Sequence, residues 1–267
     1  MTRATPPALA ASPAEVGRGL RGVFCDIDDT LTHDGRIVPS AFAALARLKA
    51  EGLRVVPITG RPGGWVDHIA RMWPVDGVVG ENGGLWFYHR DGRLHRRFLQ
   101  DVDTRRANKA RLVALGEHIL RAVPGTALAS DQPYRELDLA IDFCEDVPAL
   151  GDDAIDAIVA EFEAAGATCK VSSIHVNGWF GSFNKLDGCR RLLAELWDED
   201  LDEVIGDYAF FGDSANDEPM FEAFPLSIGV ANVAHFLPRM QGWPKWVTAG
   251  EGGHGFAEAI ALLLQRR

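Results

Sequence analysis

The two ends of the chain alternate between short apolar runs and stretches with apolar residues at helical spacing. The run at 22–25 has no charged residue, which is typical of a parallel strand buried on both faces. Phe42, Leu45 and Leu48 recur at helical spacing and predict a helix. This alternation predicts a doubly wound parallel sheet between two helical layers. The predicted elements are strand 22–25, helix 40–51, strand 53–58, helix 63–72, strand 77–79, helix 185–197, strand 208–211, helix 216–223, strand 226–230 and helix 255–265.

The middle of the chain has a different pattern. Apolar and polar residues alternate at 137–143 and again at 168–176, as in strands with one face in water. A hairpin at 85–98 and helices at 103–122 and 151–165 complete this region, which is too long for a loop. The sequence therefore predicts an α/β, Rossmann-like core with an inserted α+β cap domain. The predicted parts are a flexible tail at 1–18, core at 19–86, cap at 87–180 and core again at 181–267.

Composition and charge narrow the possible functions. Hydrophobic residues make up 47% of the 267 residues, enough for a large core, and the net charge is −11. Such an acidic protein is not expected to bind nucleic acid. No apolar run reaches about 18 residues, so no membrane span or signal peptide is expected, and we predict a cytoplasmic protein. The four cysteines are widely spaced and are expected to be free thiols. The oligomeric state is left open between monomer and dimer.

Polar clusters follow three of the predicted parallel strands. Asp26 and Asp28 follow the first, Thr59 with Gly60 and Arg61 the second, and the segment 212–217 a later one. Because sites in open parallel sheets form at the carboxyl ends of the strands, we expect these clusters to converge.

The converging carboxylates predict a Mg²⁺ site. Asp26, Asp28, Asp213 and Asp217 would repel one another unless a hard cation with oxygen ligands lay between them. At the tip of its strand, Asp26 is the candidate nucleophile, and Asp28 the candidate acid and base.

If Asp26 attacks a phosphate ester, two further side chains would act on the phosphoryl group that is transferred. Thr59 can donate a hydrogen bond to its oxygens. Lys185, which opens the first helix after the insert, can neutralise the charge that develops on it.

These motifs, in this order, resemble those of the haloacid dehalogenase superfamily of phosphotransferases. The sequence DIDDT at 26–30 resembles its first motif, Thr59 its second, Lys185 its third, and GDSAND at 212–217 its fourth. The resemblance implies that Asp26 is nucleophile and metal ligand, and that Asp28 binds the metal through its backbone carbonyl. It also implies that Asp213 is a ligand and that Asp217 supports the metal or Lys185. Asp29 departs from the pattern, because this position is often Gly.

The position of the insert, between the second and third motifs, is that of type II caps, and its α/β content is similar to the IIB kind. Sucrose-, trehalose- and mannosylglycerate-phosphate phosphatases, Cof-like phosphatases and phosphomannomutases carry such caps.

The end of the cap offers candidate substrate contacts. His175 and Asn177 share one face of a strand and could bind sugar hydroxyls. Trp179 either stacks on a sugar ring or packs into the hinge. Arg61 contacts substrate or caps its turn, and Asn216 is an equally open candidate. Gly60, Arg135 and Asp142 are further candidates, whereas Asn82 is expected to serve a Gly-rich turn.

The sequence thus predicts a Mg²⁺-dependent phosphomonoesterase that acts on a small phosphorylated metabolite, such as a sugar phosphate. A phosphomutase of the phosphomannomutase type and a non-catalytic sugar-phosphate-binding protein are the alternatives.

Overall fold

The computed structural model of the chain describes residues 5–267 and contains a large sheet, a smaller cap sheet and flanking helices. The strands are β1 (Gly22–Asp26), β2 (Thr32–His33), β3 (Arg36–Ile37), β4 (Arg54–Ile58), β5 (Val78–Gly80), β6 (Leu85–Arg90), β7 (Arg93–Phe98), β8 (Ala127–Leu128), β9 (Asp138–Asp142), β10 (Thr168–Val171), β11 (His175–Trp179), β12 (Tyr208–Gly212), β13 (Leu226–Gly229) and β14 (Trp246–Val247). The α-helices are α1 (Pro39–Ala50), α2 (Gly63–Met72), α3 (Val102–Ala122), α4 (Asp152–Ala164), α5 (Lys185–Trp197), α6 (Leu201–Val204), α7 (Glu218–Ala223) and α8 (Gly252–Arg266).

The large sheet has the order β14-β13-β12-β1-β4-β5-β6-β7. Its first six strands are parallel to one another, and β6 pairs antiparallel with both β5 and β7. The predicted doubly wound core is confirmed. Strand β1 lies between β12 and β4, so the residues that follow these three strands meet at one edge of the sheet.

Side chains of the central strands alternate between two apolar layers. Val23 and Cys25 face the layer that contains α1, α2 and α8, whereas Phe24 faces the layer that contains α5 and α7. This two-sided burial explains why the core strands are apolar at most positions.

The cap has its own sheet and its own core. The antiparallel order is β10-β11-β9-β8, and α3 and α4 pack against one face of this sheet. Ile119, Ile158 and Phe162 are fully buried in this separate apolar cluster. The predicted α+β architecture of the insert is therefore present.

The hairpin β6–β7 corrects the expected start of the cap at residue 87. It pairs with β5 and extends the large sheet, and the first four residues of β6, at 85–88, are buried. Phe87 faces one apolar layer of the core, whereas Trp86 and Tyr88 face the other. Glu195 on α5 accepts hydrogen bonds from Trp86 Nε1 at 2.8 Å and from Tyr88 Oη at 2.7 Å.

The strand predicted at 168–176 is wrong as a single element. A turn at 172–174 divides it into the antiparallel strands β10 and β11. The Ser172 hydroxyl accepts a hydrogen bond from the His175 N–H at 3.0 Å, which stabilises the turn.

The expected flexible tail is also corrected where it is described. Leu9 is buried in the core, and the Pro7 carbonyl accepts a hydrogen bond from the Val247 N–H at 3.0 Å. Arg266 donates to the Ser12 hydroxyl at 2.7 Å. Residues 1–4 of this predicted tail lie outside the described residues.

The structure also bears on two other expectations, which concern membrane spans and the state of the cysteines. None of the helices in the described part of the chain is long and apolar enough to cross a membrane. All four cysteines are free thiols.

Candidate active site

Lys185 lies between two aspartates at the carboxyl edge of the large sheet. Its Nζ is 2.6 Å from Asp26 Oδ1 and 2.7 Å from Asp217 Oδ1, and the residue is only 4% exposed. Although burial lowers the pKa of Lys185, the carboxylates of Asp217 and Asp26 raise it well above its ordinary value. The ammonium group is therefore a fixed positive charge beside Asp26.

The first turn of α5 fixes the position of this lysine. Asn184 is the N-cap, and its side-chain oxygen accepts a hydrogen bond from the Leu186 N–H at 2.9 Å. Asp187 completes the capping box by accepting from the Asn184 N–H at 3.1 Å. Gly83 and Gly188 allow α5 to approach the turn after β5 closely, since a Cβ on Gly83 would lie 1.9 Å from the Asn184 carbonyl oxygen.

Three buried carboxylates form a candidate metal site. Asp26, Asp213 and Asp217 each offer an oxygen within 4.8 Å of the others. Asp217 Oδ2 accepts a hydrogen bond from the Asp213 N–H at 3.0 Å, which aligns the loop after β12. Asp213 Oδ2 is buried and has no hydrogen-bond partner among the described residues. An unpartnered buried carboxylate oxygen is unfavourable, so this donor set fits a hard cation.

Burial and the neighbouring charges raise the pKa values of Asp26 and Asp213. Burial raises the pKa of Asp26 well above its ordinary range, and Lys185 opposes this shift. Burial and the carboxylates of Asp217 and Asp26 raise the pKa of Asp213. A bound cation would stabilise the ionised forms of both aspartates.

Asp28 points toward the cap and binds Arg61. Arg61 Nε and Nη2 lie 3.1 Å and 3.0 Å from Asp28 Oδ1. Arg61 Nη2 is also 2.8 Å from Glu145 Oε1 of the cap. Burial lowers the pKa of Arg61, whereas the carboxylates of Asp28 and Glu145 raise it by a larger amount. The pKa of Arg61 therefore lies above its ordinary value. The guanidinium also lies over the ring of Trp65 on α2, 4.6 Å from its centroid. Its contact with Glu145 connects the core with the cap.

A small cavity lies between the core and the cap, and Asp26 and Asp28 line its core side. The predicted cap residues His175 and Asn177 line the same cavity. His175 Nε2 is 2.8 Å from Glu145 Oε2, and Asn177 donates to Asp138 Oδ2 at 3.1 Å. His175 and Arg61 lower the pKa of Glu145 to about 2, so its carboxylate is ionised.

The other predicted residues have more varied positions. Gly60 and Asn216 line the cavity. Thr59 is fully buried, and its hydroxyl accepts a hydrogen bond from the Arg61 N–H at 2.9 Å, so it shapes the turn after β4. The Asp142 carboxylate caps the next turn by accepting from the N–H groups of 144–146. The hinge alternative holds for Trp179, which is buried and donates to the Phe183 carbonyl at 3.2 Å.

The structure explains the unusual residue at position 29. Asp29 has a left-handed φ of 56°, a conformation that glycine adopts readily and aspartate tolerates. Its backbone carbonyl accepts a hydrogen bond from Asn232 Nδ2 at 3.0 Å.

Glu81 is a buried residue that the sequence reasoning did not identify. It follows β5 and accepts backbone hydrogen bonds from Gly63 at 2.8 Å and from Glu136 and Leu137 of the cap at 2.9 Å and 2.5 Å. Burial and the neighbouring Asp138 raise the pKa of Glu81 to about 8. Its position at the carboxyl end of a parallel strand was the signal available in the sequence. Asn82, next to it, has a φ of 55°, as expected of a turn residue, and also donates to Asp138 at 3.3 Å.

Arg135 lines the cavity on the cap side. Three acids bind Arg61 or Arg135 there, namely Asp131, Asp138 and Glu145. Arg135 is a candidate from the sequence, whereas the three acids are not. They come from separate cap loops and strands, so no motif groups them in the sequence. The cavity enclosed between core and cap measures about 20 Å³. This volume is too small for a phosphate ester.

Comparisons with known proteins agree with this geometry. Residues 23–107 match the family described as haloacid dehalogenase-like hydrolase. No curated protein sequence matches the chain significantly. This match agrees with the predicted resemblance to the haloacid dehalogenase superfamily. The structural neighbours share the fold of the core and the cap.

Three solved structures illustrate the likeness. The Thermoplasma acidophilum 0175 protein is 19% identical, with a TM-score of 0.68 over 92% of this chain and 98% of that chain. The C-terminal domain of Candida albicans trehalose-6-phosphate phosphatase is 13% identical, with a TM-score of 0.69 over 97% and 99%. A sugar phosphatase of haloacid dehalogenase subclass IIB is 15% identical, with a TM-score of 0.61 over 90% and 98%. At such identities the neighbours establish the fold.

Proposed function

We propose that the protein is a Mg²⁺-dependent phosphomonoesterase that acts on a small phosphorylated metabolite, such as a sugar phosphate, through an aspartyl-phosphate intermediate. The observation that carries this proposal is the contact of Lys185 with both Asp26 and Asp217, beside the unpartnered oxygen of Asp213.

Asp26 is the proposed nucleophile. One of its carboxylate oxygens attacks phosphorus, and the bond from phosphorus to the alcohol oxygen breaks. Lys185 Nζ lies 2.6 Å from Asp26 Oδ1. It donates hydrogen bonds to the phosphoryl oxygens and stabilises the negative charge that develops on them. Asp217 holds the lysine in place from its other side.

A divalent cation is proposed at the carboxylates. Asp26, Asp213 and the backbone carbonyl of Asp28 would hold it, and Asp217 would support Lys185. When bound, Mg²⁺ lets a dianionic phosphate approach this acidic site and stabilises charge on the phosphoryl group.

Asp28 is the proposed acid and base. Arg61 holds its carboxyl group at 3.0 Å and turns it toward the cap, where the leaving alcohol would lie. Asp28 then protonates the departing alkoxide and afterwards removes a proton from the water that attacks the aspartyl phosphate.

Closure of the cap would exclude bulk water during the transfer. The cavity of about 20 Å³ requires the cap to open for substrate to enter and for the products to leave. His175, Asn177 and Asn216 are proposed to contact the alcohol part of the substrate.

Release of inorganic phosphate from a panel of phosphate esters, with and without Mg²⁺, tests the proposal. We expect Mg²⁺-dependent release, and Asp26→Asn should lower the rate by at least about a thousandfold. Mg²⁺ binding without phosphate release from any ester would overturn it and favour a phosphomutase or a non-catalytic binding protein.

A further inference from the structure

Two carboxylates on opposite sides of the cleft share the guanidinium of Arg61. On the core side, its Nε and Nη2 donate hydrogen bonds to Asp28 Oδ1 at 3.1 Å and 3.0 Å. On the cap side, Nη2 donates to Glu145 Oε1 at 2.8 Å, and Nη1 donates to Glu145 Oε2 at 3.4 Å. Because the guanidinium is planar and its donors have a fixed geometry, the position of one carboxylate limits the direction from which the other is bound.

The cap fixes the backbone of Glu145 and directs its carboxylate across the cleft. Its N–H donates to the buried Asp142 Oδ1 at 2.8 Å, in the turn after β9. Among the described side chains, Arg61 is the one that donates hydrogen bonds to the Glu145 carboxylate. His175 Nε2 lies 2.8 Å from Glu145 Oε2 but is out of line for a hydrogen bond. Glu145 is therefore held at its tip by a residue of the core.

Asp131 is a second cap acid near Arg61, but it has another partner. Its Oδ2 is 3.4 Å from Arg61 Nη1, and its Oδ1 accepts a hydrogen bond from Arg135 Nε at 3.1 Å. Asp131 is thus held within the cap by Arg135, and Glu145 makes the shorter contact with Arg61.

The Asp28 carboxylate depends on the same arginine. Among the described residues, Arg61 is the one whose side chain donates hydrogen bonds to it. If the cap lifted away, Arg61 would keep Asp28 but lose Glu145 and Asp131, and its long side chain would regain rotamer freedom. The direction of the Asp28 carboxyl group would then be less well defined.

We propose that Glu145 is a positioning residue that couples the seating of the cap to the acid function of Asp28. Glu145 holds Arg61, and Arg61 holds Asp28, which gives its proton to the alcohol oxygen as the bond from phosphorus to that oxygen breaks. Glu145 is not among the described residues that line the cavity, so it acts through Arg61. This inference rests on the proposed phosphatase function and adds a residue to its mechanism.

Two esters that differ in their need for a proton test the proposal. p-Nitrophenolate is stable as an anion and leaves unprotonated, whereas the alkoxide of an alkyl phosphate must be protonated as it leaves. The alkyl ester is the fastest one found in the panel of phosphate esters. We measure kcat/KM with Mg²⁺, because this ratio covers the transfer to Asp26 and excludes the later hydrolysis of the intermediate.

Glu145→Gln keeps the size of the side chain and removes its charge. It should lower kcat/KM for the alkyl ester by roughly tenfold to a hundredfold and for p-nitrophenyl phosphate by less than about threefold. A loss of general structure would lower both values by the same factor. Arg61→Gln breaks the same bridge from the core side and should show the same selective loss, so the bridge is tested even if one of the two variants does not fold.

A double-mutant cycle with Asp28→Asn tests whether Glu145 acts through Asp28. In that background, Glu145→Gln should lower kcat/KM for the alkyl ester by less than about threefold, because the acid that it positions is absent. The matched control is Glu163→Gln, which removes one charge from an exposed position on α4 of the cap and should leave both esters unaffected.

Equal losses with the two esters, or an effect of Glu145→Gln that multiplies with that of Asp28→Asn, would overturn the inference. Both results leave the phosphatase proposal intact, since release would still depend on Mg²⁺ and Asp26. If p-nitrophenyl phosphate and every alkyl ester give no release, the proposed function itself fails.

Discussion

The close approach of α5 to the turn after β5 predicts that Gly83→Ala damages both stability and catalysis. Gly83 has a φ of +101°, and an added Cβ would lie 1.9 Å from the Asn184 carbonyl oxygen and 3.0 Å from the Lys185 backbone nitrogen. Backbone atoms cannot rotate away from this clash. Either the turn or the first turn of α5 must move, and with it Lys185.

The magnitude follows from two contributions. An alanine at this backbone angle costs about 1–3 kcal/mol, and overpacking against backbone costs about 1–3 kcal/mol more. We therefore expect the free energy of unfolding to fall by about 2–6 kcal/mol. Displacing Lys185 by about 1 Å should lower kcat by about tenfold to a hundredfold, with less change in KM.

Gly92→Ala is the matched control. Gly92 has a similar positive φ of +72°, but no atom lies within 4 Å of its added Cβ. It should lose only about 1 kcal/mol of stability and keep its kcat. Urea unfolding and steady-state phosphate release measure both effects. A Gly83→Ala protein as stable and as active as Gly92→Ala would refute the claim that this contact positions Lys185.

Other predictions concern the buried charges. Asp217→Asn removes one partner of Lys185 and should lower kcat by about a hundredfold; an unchanged kcat would exclude a positioning role. Burial raises the folded pKa of Glu81 from 4.5 to about 8, so its stabilising contribution is complete below about pH 4.5 and is lost as the pH rises toward 8. In urea unfolding of the metal-free protein at a series of pH values, Glu81→Gln should flatten this decline by up to about 1.4 kcal/mol per pH unit, whereas an identical slope would contradict the shifted pKa. Mg²⁺ at a hundred times its Kd should stabilise the fold by about 2.7 kcal/mol in thermal unfolding, and Asp213→Asn should abolish the effect; equal stabilisation of both proteins would place the ion elsewhere. Trp65→Leu should lower kcat/KM by roughly threefold to tenfold because it removes the ring against the Arg61 guanidinium, and Trp65→Phe should restore most of it; equal activity of the two variants would count against this contact.

The core and the candidate residues on its edge could be predicted because local sequence determines them. Uninterrupted apolar runs identify strands that are buried on both faces, and the residues that follow such strands must share one edge of the sheet. Asp26, Lys185, Asp213 and Asp217 therefore come together from positions that are distant in the chain.

The cap side was harder to predict because its contacts are not local. Glu145 contacts Arg61 across the cleft, and nothing in the sequence around either residue indicates this pair. The sequence places the hairpin β6–β7 in the cap from residue 87 onward, because a hairpin motif does not reveal which sheet it joins. Its buried aromatic residues, on both faces, show that it extends the core.

The most direct test of the central claim is to locate the phosphoryl group on the protein. The substrate is mixed with Asp28→Ala in the presence of Mg²⁺, because loss of the base should slow hydrolysis of the intermediate. The reaction is quenched in acid, and the peptides are analysed by mass spectrometry. The mechanism predicts a phosphorylated peptide whose modified residue is Asp26 and which is absent from Asp26→Asn. Phosphate release by an active protein that never carries a phosphoryl group on Asp26, or carries it on another residue, would contradict the mechanism.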